Sequence, residues 1–238
     1  MRIAVMQPYF LPYLGYFQLI AKCDVFVFYD DDFFKPKGFI HRNYIEGYQQ
    51  EALRISIPLA KKSQNKKINE TEILALGLEK TMRTIEQRYA KASFKSDVEK
   101  ILEFVNSADS HNLADFNSRV ISFIARCLEI QTRYTDSSLF ETPAQFGYEA
   151  KIIYIAKTLG ATSYLNMIGG QHLYQTQHFL NHGIDLEFLR PELGGHCFQQ
   201  MQPLSIVDSI SRFGFEGTSS LVLKGSVTSS NYLGIGYV

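Results

Sequence analysis

Between residues 132 and 191 the chain changes period four times. TRYTDSS (132–138) reads as a strand, YEAKIIYIAKTLG (148–160) as an amphipathic helix, and SYLNMI (163–168) as a strand. GGQHLYQTQHFLNHG (169–183) then reads as a helix and DLEFLRP (185–191) as a strand. Gly160 and Gly183 stand where helices commonly end. Strands separated by helices, not by tight turns, pair in parallel, so this run of about sixty residues predicts an α/β fold with a mainly parallel, Rossmann-like sheet.

The beginning of the chain agrees. RIAVMQ (2–7) and CDVFVFYD (23–30) are nearly all apolar, as strands covered on both faces are. Between them GYFQLIAKC (15–23) places Tyr16, Leu19, Ile20 and Cys23 on one helical face. ALRISIPL (52–59) is a further strand. The middle is helical: NETEILALGLEKTMRTIEQRYA, with Asn69 or Thr71 as N-cap, then SFKSDVEKILEFVN and NLADFNSRVISFIARCLEI. LSIVDSISRFG forms a last helix ending at Gly214, and the Ser/Gly-rich tail adds an edge strand or stays flexible. The expected organisation is a single α/β domain over 1–215, with a helical insertion at about 69–130 and a tail over 216–238.

Composition removes several function classes. Lys+Arg and Asp+Glu are each 24, so there is no basic excess of the kind a nucleic-acid surface shows. The run KKSQNKK (61–67) reads as a solvated loop. Three separated cysteines, Cys23, Cys127 and Cys197, give no zinc spacing and fit free thiols in a reducing cytoplasm. No apolar run approaches the ~20 residues that cross a bilayer, and MRIAVMQPYF lacks a signal peptide's apolar core. The expectation is a cytoplasmic protein with no membrane contact.

Open parallel sheets bind ligands beyond the carboxyl ends of their strands. Beyond the first strand lies QPYFLPYLGYF, with Gln7, Tyr9, Tyr13, Gly15 and Tyr16. Beyond the second come Asp30, Asp31 and Asp32, and then KPKGFIHRNYI with His41, Arg42 and Asn43. Later strand ends carry Asp136-Ser137-Ser138, Asn166 with Gly169 and Gly170, and Arg190. Two glycines at a helix start suit an anion. Arg42 offers a fork for phosphate or carboxylate, His41 titrates near neutral pH, and Asp30 and Asp31 could hold magnesium, a proton or a sugar hydroxyl. No GxGxxG, P-loop, HExxH or GxSxG motif occurs. His172, His178 and His182 lack the spacing of a metal site, and Gly194-Gly195-His196-Cys197 offers a thiol beside an imidazole that adjacent residues rarely orient.

The order QPYFLPYLGYFQLI, DVFVFYDD, GFIHRNYI, YLNMIGGQHLY and LSIVD resembles the WbqC-like family of bacteria, from the start of the chain to about residue 215. The resemblance implies a part in surface-polysaccharide (O-antigen, lipopolysaccharide) synthesis, with transfer of glycine or another acyl unit to an amino sugar. It also implies a nucleotide sugar as ligand and extends the contact list to Tyr174, the end of YLNMIGGQHLY. The opening is similar, more distantly, to adenylyl- and cytidylyltransferases with a HxGH motif, Tyr13 and Tyr16 standing where the histidines would. The first half is thus expected to be nucleotidylyltransferase-like.

Three functions follow. In a transferase, Gly15, Tyr16, Gly169 and Gly170 would bind phosphate and Asp30, Asp31 and Asn43 would hold sugar hydroxyls. His41 or an aspartate would deprotonate the amine. The acyl donor could be an aminoacyl-tRNA, the one nucleic acid then involved. The alternatives are a magnesium-dependent nucleotidylyltransferase-like enzyme, or a sugar-nucleotide-binding protein without catalysis.

Overall fold

A computed structural model describes residues 1–49, 51–108, 110–194, 197–198 and 202–230. The middle of Gly194-Gly195-His196-Cys197 and the last eight residues of the tail lie outside them. In chain order the elements are β1 (Arg2–Met6), α1 (Leu14–Ala21), β2 (Val25–Phe28), β3 (Arg42–Glu46), β4 (Ala52–Ser56), α2 (Ala75–Tyr89), α3 (Lys95–Ser107), α4 (Leu113–Cys127) and β5 (Arg133–Asp136). They continue with α5 (Tyr148–Thr158), β6 (Ser163–Met167), α6 (Thr176–Leu180), β7 (Asp185–Arg190), β8 (Cys197–Phe198), β9 (Gln202–Pro203), α7 (Ile206–Val222) and β10 (Ser226–Ser229).

Six strands form one sheet in the order β10-β7-β6-β1-β2-β5. All neighbours are parallel except β10, which runs antiparallel to β7 at the edge. This is a Rossmann-like α/β sheet with the apolar strands covered on both sides. Along β1 and β2, Ala4, Phe26 and Phe28 face a core shared with α1, α4 and α7, while Ile3, Val5, Val25 and Val27 face one shared with α5 and α6. Alternate residues of a strand point to opposite faces, so both sets must be apolar here. After β1 the chain winds outward to β2 and β5. It then returns past β1 to build β6 and β7, which puts the reversal of strand order between β1 and β6.

Four expectations are corrected. Asn69 and Thr71 do not cap α2; Leu74 stands at its start with no side-chain cap, while Asn69 donates to Asp30 and Thr71 to the Lys67 carbonyl. Strand 52–59 is shorter, over β4, and pairs antiparallel with β3 in a separate ribbon. Residues 169–183 are not one helix but a 3-10 turn over Ile168–Leu173 followed by the five-residue α6. Finally, α7 does not stop at Gly214. The glycine bends it with φ 66°, in the left-handed region, and a Cβ there would meet the Phe94 ring at 2.6 Å. The Phe215 N–H freed by the bend donates to Asp97 Oδ2 at 3.0 Å, so the helix resumes through residue 222.

Candidate functional site

The loop leaving β1 cannot bond to a neighbouring strand, so its carbonyls need partners from elsewhere. The Tyr16 hydroxyl donates to Gln7 O at 2.8 Å, and the Asn117 amide to Pro8 O at 2.9 Å. Asn43 Nδ2 donates to Phe10 O and Leu11 O at 3.0 and 2.7 Å, and the Ser205 hydroxyl to Leu11 O at 2.8 Å. The Ile206 N–H donates to Pro12 O at 2.8 Å. These bonds hold Leu11 at φ 42°, a left-handed conformation that costs a non-glycine residue about 1–3 kcal/mol. Pro8 and Pro12 restrict the loop further. The result is a rigid wall.

That wall bounds a cavity of about 750 Å³ at the carboxyl edge of the sheet. Its other sides come from Asp32 and Lys35 after β2, Phe39 and Asn43 at β3, Tyr148 at the start of α5, Asn166 and Met167 at the end of β6, and Gly169, Gly170 and Leu173 after it. The cavity therefore sits at the reversal of strand order between β1 and β6, where such sheets bind ligands. Its volume falls within the ~300–1,000 Å³ of small-molecule sites. Aromatic rings and amides line it, and among the described residues its charged groups are Asp32 and Lys35. Asp32 accepts from Gln7 Nε2 and from its neighbour's N–H (Phe33, 2.8 Å), with Lys35 Nζ at 3.5 Å. Burial, with Tyr148 and Asp32 nearby, pushes the Tyr9 phenol up to about 12.

Of the residues expected at the site, Gln7, Tyr9, Tyr13, Tyr16, Asn43, Asn166, Gly169 and Gly170 line the cavity. Asn43 acts mainly through its grip on Phe10 and Leu11. Gly169 and Gly170 belong to a six-residue 3-10 turn, too short to offer a helix dipole to phosphate. Gly15 is buried, and a Cβ there would meet the Tyr13 ring at 2.4 Å and Pro191 at 3.0 Å; its role is close packing, not an approach for ligand. Tyr174 stands behind the wall, with its hydroxyl within reach of Tyr148, Tyr164 and Asn166.

Asp30, Asp31, His41 and Arg42 lie outside the lining. Asp30 is buried and accepts from Ser137 Oγ, Ser138 N, Ser138 Oγ and Asn69 Nδ2 at 3.0, 2.9, 2.6 and 3.0 Å, tying the end of β2 to the end of β5. Asp31 pairs with Lys151 and shares with Asp30 the single proton of the Ser137 hydroxyl. Burial opposes its charge, but those two donors outweigh it and hold its carboxyl below the ordinary value. Both aspartates are surrounded by donors, which is the reverse of what a cation requires. Arg42 spends its guanidinium on the carbonyls of Lys37 and Gly38.

His41 is packed against Phe34, ring centroids 5.2 Å apart, and is 3% exposed. Burial, then Lys62, Arg42 and Arg54, lowers its pKa to about 4, so it is a neutral core residue at pH 7. The unfolded chain binds a proton at His41 below about 6.5, and the folded chain only near 4. Stability is therefore expected to fall by about 3 kcal/mol as pH drops from 6.5 to 4. Urea unfolding midpoints across that range measure this, and His41→Leu is expected to flatten the slope.

Sequence reasoning placed Asp32 at a strand end but chose Asp30 and Asp31 over it, and did not single out Tyr148, Phe39 or Leu173. DDD gives no sign of which carboxylate turns inward. Tyr148 reads simply as the first residue of a helix.

A Rossmann-like α/β chain with a cavity at its strand switch point defines the class of protein. The chain belongs to the WbqC-like protein family, whose model matches residues 7–220 and so extends past Gly214. It is similar to the uncharacterized protein Rv1507c of Mycobacterium tuberculosis, 29% identical over 168 residues that cover 69% of this chain and 71% of that one. No solved structure matches it significantly. Among the described residues, no helix is long and apolar enough to cross a membrane.

Proposed function

We propose that the chain is a transferase of bacterial surface-polysaccharide synthesis that acts in the cytoplasm on a nucleotide-linked amino sugar. The observation that carries this reading is the cavity itself. Tyr9, Tyr13, Phe39 and Tyr148 offer faces for a sugar or base, the amides of Gln7 and Asn166 lie among them, and one carboxylate lies beside one ammonium. Lys35 lines the cavity, and the lysine-rich run 61–67 is tied to residues 33–34 close by in sequence through the Phe33–Lys67 bridge and the Phe34 N–H to Lys66 O bond of 2.9 Å. The Lys35 ammonium suits a phosphate.

In the proposed step the sugar amine attacks the carbonyl carbon of an activated acyl ester or thioester, such as the ester of an aminoacyl-tRNA. A C–N bond forms and the carbonyl π pair moves to oxygen. Asp32 takes the nitrogen's proton, in place of His41. Collapse breaks the bond to the donor's oxygen or sulfur, which leaves with that proton.

The test is incubation of the protein with UDP- and dTDP-linked amino sugars and a panel of acyl-CoA and aminoacyl-tRNA donors, followed by mass spectrometry. An acyl mass gain on the sugar nucleotide is the expected result. Tight binding of the sugar nucleotide with no gain from any donor would replace this reading with a binding protein lacking catalysis. No binding at all would remove both.

A further inference from the structure

We propose that Tyr148 is an outward-directed hydrogen-bond donor, aimed by a buried relay through Asn166, Tyr164 and Tyr174, and that it receives the carbonyl oxygen of the acyl group in transfer. The first half stands on hydrogen-bond accounting alone, and the second rests on the transferase reading above.

Asn166 Oδ1 accepts the Met167 N–H at 2.6 Å, which fixes the amide and points Nδ2 toward two phenols. Its two hydrogens go to Tyr164 Oη at 3.1 Å and to Tyr174 Oη. The hydroxyls of Tyr164 and Tyr174 are 2.9 Å apart, and those of Tyr174 and Tyr148 are 3.1 Å apart. Three hydroxyl protons must share these two contacts. If they ran inward, the fully buried Tyr164 would hold an O–H with no acceptor among the described residues, an unmade bond with its full desolvation cost. If Tyr164 and Tyr148 both donated to Tyr174, the Tyr174 proton would be stranded instead. Every buried proton is satisfied only when Tyr164 donates to Tyr174, Tyr174 to Tyr148, and Tyr148 into the cavity. Chains of this kind polarise in one sense.

Tyr148 is placed to use that proton. It opens α5, lines the cavity, and is 38% exposed, whereas Tyr164 and Tyr174 are buried. Its ring is held edge-on against Tyr29, centroids 5.6 Å apart. Burial, then Tyr174, raises its phenol well above the ordinary value, with Asp32 adding to the effect. The group stays neutral and protonated, a donor and not a base. As an amine adds to a carbonyl, negative charge grows on oxygen, and a donor already aimed there needs no reorientation. Tyr148 would be the catalytic donor; Asn166, Tyr164 and Tyr174 are positioning residues.

Two measurements test this. In protein with ring-labelled tyrosine, the Tyr174 hydroxyl proton is followed by NMR in wild type and Tyr148→Phe. Outward polarity predicts that this proton exchanges faster with water in the variant, because its acceptor is gone. Under inward polarity it stays bonded to Tyr164, so unchanged exchange overturns the relay. In the transfer assay, Tyr148→Phe is expected to lower kcat by about 10²-fold, as loss of one such donor does, with the KM for the sugar nucleotide unchanged. Tyr174→Phe is expected to lower kcat by a smaller factor, also at unchanged KM. Wild-type transfer with full kcat in Tyr148→Phe overturns the carbonyl assignment and leaves the transferase reading intact. If wild type transfers nothing with any donor, the carbonyl assignment falls with that reading, and the NMR result still decides the relay.

Discussion

Asp32→Asn is expected to reduce acyl transfer by roughly 10²–10⁴-fold, the usual contribution of a positioned general base. The fold should hardly notice. Asn keeps an acceptor for the Phe33 N–H, and Gln7 can turn its amide to present oxygen to the new Nδ2. The Lys35 ion pair is lost, but Lys35 is largely exposed, so its contribution to stability is small. Thermal melting is therefore expected to stay within a few degrees while initial rates, read by mass spectrometry, collapse. Asp31→Asn should behave in the opposite way. It leaves the Lys151 ammonium buried beside Tyr29 without its counter-charge, which costs stability first and activity only as a consequence. A wild-type rate in Asp32→Asn would remove the base assignment. Loss of rate in Asp31→Asn with unchanged melting would return that role to the residue expected from sequence.

The second large effect concerns the β1 loop. Asn117→Ala is expected to destabilise the protein by about 3 kcal/mol, because it strands two buried carbonyls, each costing ~1–3 kcal/mol when left unpaired. Asn117 is 1% exposed, and its Nδ2 spans Pro8 O at 2.9 Å and Ile40 O at 2.7 Å. It thus ties the loop after β1 to the segment before β3, and two walls of the cavity move if it goes. For a chain of this size the melting temperature should drop by roughly 6–12 °C. Asn117→Asp should be worse than alanine, since a carboxylate would face two carbonyl oxygens inside the core. Calorimetry of the two variants measures both points. If Asn117→Ala melts within a degree of wild type, the loop is held by Asn43, Tyr16 and Ser205 without it.

The fold was largely legible because it follows from periodicity. A strand covered on both faces must be apolar at every position, and RIAVM and VFVF are nearly so; alternation with helices then dictates parallel pairing. The elements that were misread are those where a tertiary contact overrides local pattern. Gly214 looks like a helix stop, yet Asp97 from α3 takes the N–H that the bend exposes and the helix goes on. Residues 169–183 have helical spacing, but the chain is drawn out of the helix where Tyr174 reaches inward to Asn166 and Tyr164.

The candidate site divides along the same line. Residues on the β1 loop and at the end of β6 could be named from sequence, because a strand's carboxyl end is fixed once the strand is found. Asp30 and Asp31 were expected there, but Asp32 is the one of the three that lines the cavity. The three follow one another through a turn, and a turn sends successive side chains in different directions: to Ser137 and Ser138, to Lys151, and to Gln7. Tyr148 lies far along the chain from Gln7 and faces the same space only after α5 has packed against the sheet. Sequence alone determined the parallel α/β sheet and the edge that carries the cavity, since both depend on local periodicity and strand direction. Only the tertiary structure decided that Asp32 and Tyr148, and not Asp31 and His41, share that edge, since side-chain direction in loops is set by whichever distant partners satisfy the buried backbone.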